Sequence, residues 1–286
     1  TALVSEGEAD ALHGRIGALV DAVRSAGALA RNLEDACGQL GGELVQCAGH
    51  PIGQALASVT RSADESLDTS VVAAKAQLAR TTRLVGAVAS ALDDSASFAR
   101  TAASICASKA PSDAVAGPDK AVNAIVAEAI VFGVAAPRLL RRCELSLADA
   151  QSRLRLGAAA ALLDVHAALG LHPDARAVLD GPSSGWAVVC ALILPSTTLC
   201  ALAELEQTTS RAATSYHGRP PTAEELLPCL AYSASTALAK GSAPQLLAHL
   251  ELARTQVETV AEPQRAAYSL TTVEVALEVV GRCARS

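Results

Sequence analysis

Apolar residues recur along the N-terminal part of the chain at alternating spacings of four and three residues. This pattern places one apolar stripe along a helix and predicts that a second helix packs against it. One run of the repeat covers residues 12–47 and another covers residues 67–106. The first stripe consists of Leu12, Ile16, Leu19, Val23, Ala26, Ala30, Leu33, Cys37, Leu40, Leu44 and Cys47, and the second of Leu67, Val71, Ala74, Leu78, Thr81, Val85, Val88, Leu92, Ser95, Ala99, Ala102 and Cys106.

The two runs are separated by Gly49-His50-Pro51, which stops a helix because proline lacks the amide hydrogen and restricts the residue before it. We therefore predict one helix over residues 8–48 and a second over residues 52–109. Together they would form a long antiparallel, coiled-coil-like hairpin as the first domain, residues 1–110. Leu84 falls outside the second stripe and is expected to be less buried than the stripe residues.

A segment containing two prolines and a glycine, residues 111–120, predicts a linker. Beyond it we predict a compact α-helical bundle domain over residues 121–286. Its first helix, at about 120–135, is apolar on nearly every side, which is typical of a buried helix. Pro137 is expected to begin a new helix, which ends near Leu169.

Residues 186–203 carry no charge and are just long enough to be considered as a membrane span. No basic cluster flanks them, as the orientation of a span would require. We therefore interpret the segment as a core helix kinked at Pro195, and we expect no membrane span.

Three more helices are predicted towards the C-terminus, at about 223–240, 244–261 and 264–284. The first opens with Thr222 and Glu225, whose spacing is that of a capping box.

Composition supports an all-α fold. Hydrophobic residues make up 51% of the 286 residues and charged residues 18%, which excludes a disordered chain. Aromatic residues contribute only 2%, methionine is absent, and alanine-rich sequences of this kind favour closely packed helices. The net charge is −6 with both signs dispersed, so we expect neither a nucleic-acid partner nor an electrostatic association with anionic lipid.

The eight cysteines leave two cellular compartments open. The absence of a Cys-x-x-Cys motif and the position of Cys37, Cys47 and Cys106 on the apolar stripes favour reduced thiols that act as small hydrophobic groups in the cytoplasm. The alternative is an extracellular helical-bundle receptor or surface antigen stapled by disulfides.

No pattern in the sequence predicts catalysis. The six histidines are dispersed, and no two of them have the i, i+4 spacing of paired metal ligands. The loop at residues 181–185 lacks the Gly-x-Ser-x-Gly spacing of a nucleophile elbow, and no phosphate-binding glycine loop ends in Lys-Ser/Thr. We therefore predict no catalytic residue, no cofactor and no metal site.

Arg138, Arg141 and Arg142 form a basic cluster that is a candidate protein-binding site for an acidic partner. The other interpretation is a helix surface on which the arginine stems cover apolar groups and the guanidinium groups stay in water.

Residues 131–145 resemble the opening of the dynactin-type helical domain of the large dynactin subunit. That family has a hydrophobic helix, then an Arg-Leu pair (here Arg138 and Leu139), then a basic and apolar helix. Residues 184–206 and 226–252 are similar to the later buried helices of the family. Residues 111–119 are similar to the segment that separates its coiled coil from this domain.

The resemblance implies a non-enzymatic structural protein, a subunit of a microtubule-motor adaptor complex that links motor to cargo. Its partners would be other proteins of a multi-subunit complex, and its location the cytoplasm, in association with the cytoskeleton. The coiled coil of that family is highly charged, whereas this one is rich in alanine, serine and glycine. Residues 71–92 are also similar to the alanine-rich bundles of talin- and vinculin-like adhesion rods, which is the alternative.

Overall fold

The computed structural model of this chain describes residues 11, 14–16, 18, 31–47, 51–65, 70–93, 118–172, 178–260 and 262–284. These residues form helices and turns and no strand, so the predicted all-α fold class is confirmed. The chain divides into two compact units, Thr1–Arg142 and Cys143–Ser286. The predicted linker lies outside the described residues as far as residue 117, and residues 118–120 are helical.

The first unit contains helical residues at 11, 14–16 and 18, and then a series of packed helices. α1 packs against α2, and α2 packs against α3. The helices are α1 (Arg31–Gln46), α2 (Pro51–Glu65), α3 (Val71–Asp93) and most of α4 (Pro118–Ser146).

The prediction of one helix over residues 52–109 is wrong, because Ser70 lies between α2 and α3 and is not helical. The Ser70 hydroxyl accepts a hydrogen bond from the amide of Ala73 at 3.2 Å, which is an N-cap that begins a new helix. Residues 94–109 of the predicted helix lie outside the described part of the chain. The single long hairpin is therefore not confirmed, and shorter helices occupy its described length.

Where their side chains are described, the residues of the apolar stripes are largely buried, as predicted. Val71, at the start of α3, is the exception among the stripe residues whose side chains are described, with 39% of its surface exposed. The buried members are Ile16, Cys37, Leu40, Leu44 and Cys47 in the first stripe and Ala74, Leu78, Thr81, Val85 and Val88 in the second.

Leu84 is only 3% exposed, so the expectation that it lies off the buried face is wrong. Gln77 and Leu84 are both buried and are spaced as i and i+7, which places them in one row along a helix. This row runs beside the predicted stripe. α3 therefore buries a broader face than a 4-3 repeat describes.

α1 and α4 approach each other closely where both helices carry glycine. A Cβ added at Gly41 would lie 2.6 Å from the carbonyl oxygen of Ile130, and one added at Gly133 would lie 2.6 Å from the Cα of Gly38. Since real Cβ atoms do not approach other atoms so closely, only glycine fits at these two positions.

α4 continues through Pro137, so the prediction that a new helix begins there is wrong. Proline removes one backbone hydrogen bond from a helix interior, but buried Ala136 and Leu139 hold the helix on either side of it.

From Asn123 to Ser146, α4 is long and apolar enough to cross a membrane, by length and composition alone. Most of its apolar stretch is buried inside the fold.

The second unit is a bundle of shorter helices that follow the end of α4. Its elements are α5 (Ala148–Leu163), α6 (Val165–Leu169), α7 (Ser183–Val189), α8 (Pro195–His217), α9 (Ala223–Ala239), α10 (Leu246–Arg254), a 3₁₀ turn (Val257–Thr259) and α11 (Pro263–Cys283).

Three predicted helices are divided in this unit. The helix predicted at about 244–261 ends at Arg254, and a separate 3₁₀ turn follows it. The helix predicted to reach Leu169 is interrupted before α6 at Asp164, whose carboxylate accepts a hydrogen bond from the amide of Ala167 at 3.0 Å. Residues 186–203 are not one helix kinked at Pro195, because α7 ends at Val189 and Pro195 begins α8. Proline is favoured in the first turn of a helix, where its missing amide hydrogen has no intrahelical partner to lose.

α9 lies at the centre of the bundle, with α5, α7, α8 and α11 packed against it. Every residue from 229 to 238 is buried. Two of its polar groups bond to neighbours: the indole Nε1 of Trp186 donates to the Ser233 hydroxyl at 2.5 Å, and the Tyr232 hydroxyl donates to the Asp180 carboxylate at 3.0 Å. The hydroxyls of Ser235 and Thr236 are buried without a hydrogen-bond partner among the described residues. Trp186, on α7, is fully buried, so residues near the start of the uncharged segment do belong to the core.

The predicted capping box at the start of α9 is confirmed. The Thr222 hydroxyl accepts from the Glu225 amide, and the Glu225 carboxylate accepts from the Thr222 amide at 2.8 Å. Arg219 bonds to the same carboxylate, and these hydrogen bonds lower the pKa of Glu225 to about 2.

α5 and α11 cross in close contact at Gly157. A Cβ added there would lie 2.1 Å from the carbonyl oxygen of Val280. We predict that Gly157→Ala lowers the free energy of unfolding by about 1 to 3 kcal/mol, because the backbones must separate to admit the methyl group. The loss should exceed the gain of up to about 1 kcal/mol that alanine brings to a helix interior. Urea unfolding followed by circular dichroism measures it.

Gly281→Ala, on α11, is the matched control, because a Cβ at Gly281 would have no atom within 4 Å. It should raise the free energy of unfolding by about 0.5 to 1 kcal/mol. If both variants had a higher free energy of unfolding than the unsubstituted chain, the close crossing at Gly157 would be refuted.

Candidate functional site

The structure does not place the three predicted protein-binding arginines on one exposed face. Arg138 and Arg141 are exposed on α4, whereas Arg142 is buried, with 8% of its surface accessible. Leu139 and Cys143 on the same helix are buried, and Arg142 lies at the edge of the stripe that contains them. Any acidic partner that used this helix would therefore contact Arg138 and Arg141.

The chemistry-bearing residues are dispersed within the described part of the chain. No group of three or more histidine, cysteine, aspartate or glutamate residues is close enough there to hold a metal ion. The seven described cysteines form no disulfide with one another, and Cys106 lies outside the described residues. Of these seven, only Cys200, on α8, is exposed.

The thiols of Cys190 and Cys229 are held in their protonated form. Removal from water raises the pKa of each thiol to about 11. Since the thiolate is the nucleophile and the metal ligand, neither residue is activated for such chemistry near neutral pH.

His249 is the one buried histidine among the described residues, with 3% of its surface exposed. Desolvation lowers its pKa, and a hydrogen bond to the backbone of Leu192 partly opposes that shift. Its Nδ1 atom has no hydrogen-bond partner among the described residues. The lowered pKa favours the neutral form of the side chain in the folded protein, where it joins α10 to the segment before α8.

Among the described residues, a groove of about 640 Å³ in the second unit, formed by α5, α10 and α11, offers an apolar surface for binding. Leucines form its floor, and charged side chains of both signs form its rim. We call it the α5–α10–α11 groove. Its lining residues are Leu147, Ala150, Arg153, Leu154, Leu156, Leu247, Leu250, Glu251, Arg254, Glu274, Leu277, Glu278, Gly281, Arg282 and Ala284.

Leu156 sets this groove apart from an ordinary surface depression. Leu154, Leu250 and Leu277 in the floor are nearly buried, but Leu156 is 66% exposed at its edge. A large exposed leucine beside an apolar floor is a surface whose burial against a partner would be favourable, at about 25 cal/mol per Å² of apolar area.

Ion pairs fix the rim on one side of the groove. Arg254 on α10 pairs with Glu251 at 3.4 Å and with Glu274 on α11 at 2.5 Å, so it joins the two helices. Hydrogen bonding to Glu274 raises the pKa of Arg254, which keeps it charged. This ion pair orients the rim side chains and leaves the apolar floor open between the walls.

This groove was not predicted from the sequence, although the sequence contains a signal for it. Leu154 and Leu156 alternate with Arg153 and Arg155 along α5. Residues two apart on a helix point in nearly opposite directions, so the two leucines cannot both face one core. Only the packing of α5 decides that Leu154 is buried and Leu156 exposed.

A smaller cleft of about 320 Å³ lies between α8 and the start of α11. Cys200 lines it, together with Leu199, Ala203 and the ion pair of Glu262 with Arg265. It is half the volume of the α5–α10–α11 groove and contains the exposed thiol.

Comparisons with protein-family models, with curated proteins and with solved structures find no match to this chain.

The buried position of His249 predicts a pH dependence of stability. Its pKa is lower in the folded chain than the value of about 6.5 in the unfolded chain. As the pH falls, the unfolded state therefore binds the proton at a higher pH than the folded state does. The free energy of unfolding is highest above about pH 6.5 and decreases as the pH falls towards the folded-state pKa. His249→Gln should reduce the loss of melting temperature between about pH 7 and pH 5.

His166→Gln is the matched control, since His166 is exposed at the end of α6. It should leave the pH profile of the melting temperature unchanged. Equal effects of the two variants would show that burial of His249 does not cause the pH dependence.

The environments of the thiols predict the order of their reactions. Cys200 is exposed, whereas burial raises the pKa of Cys190 and Cys229. Among the described cysteines, we expect Cys200 to react first with Ellman's reagent in the native protein, and Cys200→Ser to remove that fast phase. In denaturant without reductant, all eight cysteines should react. An absence of reactive thiols would instead favour the disulfide-stapled extracellular bundle.

Proposed function

We propose that this chain is a non-enzymatic, protein-binding helical scaffold that holds a helix of a partner protein in the α5–α10–α11 groove. The observation that carries the proposal is the exposed Leu156 above a floor of leucines. Amphipathic helices bind in such grooves through apolar residues at i, i+3 or i+4, and i+7.

The surroundings of the groove support this use. α5 and α11 are in backbone contact at Gly157, and the amide of Leu247 on α10 donates to the Gln151 side chain on α5 at 3.2 Å. A groove whose walls are fixed before binding loses little conformational entropy when a partner docks.

The resemblance of residues 131–145 supports a narrower proposal about the partner. We propose that the chain is a subunit of a dynactin-like, microtubule-motor adaptor complex in the cytoplasm. Arg138 and Arg141, exposed on α4, would offer a second contact to an acidic partner. Recovery of the full chain from its own cells with subunits of a microtubule-motor complex would test this, and stable partners that include none of them would oppose it.

The groove proposal predicts a specific effect of Leu156→Asp. The substitution places a charge where an apolar anchor of the partner would dock, so binding should fall at least tenfold. Because Leu156 is 66% exposed, the free energy of unfolding should change by no more than about 0.5 kcal/mol. The measurement compares the partners that co-purify with the tagged chain and with the variant, alongside a thermal melt of each.

Leu163→Asp provides the matched control. Leu163 is also on α5 and is 88% exposed, but it does not line the groove. Partners that bind the groove should be retained by Leu163→Asp and lost with Leu156→Asp. Retention of every partner by both variants would contradict the groove as the binding site.

A further inference from the structure

We infer that the α5–α10–α11 groove selects an amphipathic α-helix that carries carboxylates along one flank of its leucine stripe and cations along the other. This inference rests on the proposed function, since it names the chemistry of the partner that the same groove would take. It is carried by an unequal distribution of charge between the two walls of the groove.

The α5 wall presents a cation that the fold does not neutralise. Arg153 is exposed and lines the groove one helical turn from Leu156. It forms no ion pair or hydrogen bond with any residue that the structure describes. By contrast, Arg155 on the same helix donates to the carbonyl oxygen of Pro244 at 2.8 Å. Arg153 is therefore the group of this wall that a partner carboxylate would meet.

The opposite wall has an excess of negative charge. At the junction of α10 and α11, Arg254 stands between two carboxylates, those of Glu251 and Glu274. One guanidinium cannot neutralise two carboxylates, so this cluster attracts a cation of the partner. The side chains of both glutamates are less than a third exposed, so solvent weakens that attraction less than it would at a fully exposed site.

The remaining rim pair does not change this polarity. Glu278 and Arg282 on α11 are 3.6 Å apart and balance each other, and both side chains are about two-thirds exposed. An exposed pair at i, i+4 contributes little to binding or stability. The groove thus has a positive α5 wall and a negative α10–α11 wall with leucines between them, which is complementary to a helix with oppositely charged flanks.

Three designed helical peptides of about four turns test this polarity. All would carry the same leucine stripe. The mixed peptide has glutamates on one flank and lysines on the other, and the two reference peptides have only glutamates or only lysines on both flanks. Fluorescence anisotropy with the full chain should give the mixed peptide the lowest Kd, by about fivefold, because only this peptide pairs with both walls at once.

Arg153→Glu then tests whether the α5 wall binds the carboxylates of the peptides. It should weaken binding of the mixed and all-glutamate peptides by about fivefold and tighten binding of the all-lysine peptide. Arg211→Glu is the matched control, since Arg211 is an exposed residue of α8 outside the groove and the change in net charge is the same. Equal effects of the two variants, or no effect of Arg153→Glu, would overturn the inference.

Leu156→Asp separates failure of this inference from failure of the proposed function. If it weakens all three peptides at least tenfold while Arg153→Glu has no effect, the groove binds helices without the proposed charge selection. If it weakens none of them, the peptides bind elsewhere and both the groove and its polarity are refuted. A second copy of the chain as the true occupant would appear in sedimentation equilibrium as a dimer that Leu156→Asp dissociates, and that result would also overturn the inference.

Discussion

The second unit depends on the enclosure of the middle of α9, residues 229–238. Residues 229–238 are buried on every side, so other helices must surround this part of α9 on all faces. α5, α7, α8 and α11 provide those faces, and Trp186 and Asp180 bond to the hydroxyl groups of Ser233 and Tyr232. The packing of the outer helices around α9 therefore determines which of their surfaces remain exposed.

Small residues decide how closely these helices approach. At Gly157 the backbone of α5 comes near the carbonyl oxygen of Val280 on α11, and in the first unit Gly41 has the same relation to Ile130 on α4. In a chain that is 2% aromatic and lacks methionine, few large side chains are present to fill gaps between helices. Close backbone contact therefore replaces bulky side chains as the means of filling the interior.

The groove is a consequence of the same geometry. α5 turns Leu154 towards the core, and because residues two positions apart on a helix point in nearly opposite directions, Leu156 is left at the surface. The ion pair of Arg254 with Glu274 holds α10 beside α11 without covering the floor. Helix geometry also divides the predicted arginine site. Arg141 is exposed and its neighbour Arg142 is buried, so residues adjacent in sequence do not share one exposed surface.

The sequence by itself determined the all-α class, the buried stripes and the local signals that begin helices, because these depend on composition, periodicity and short-range hydrogen bonds. The capping box of Thr222 with Glu225 was predicted from four residues and is present. Only the tertiary structure decided that α4 continues through Pro137, that Leu84 is buried and that Leu156 is exposed. The reason is that a neighbouring helix can stabilise an unfavourable residue or cover a second face of a helix, and the identity of that neighbour is not contained in local sequence.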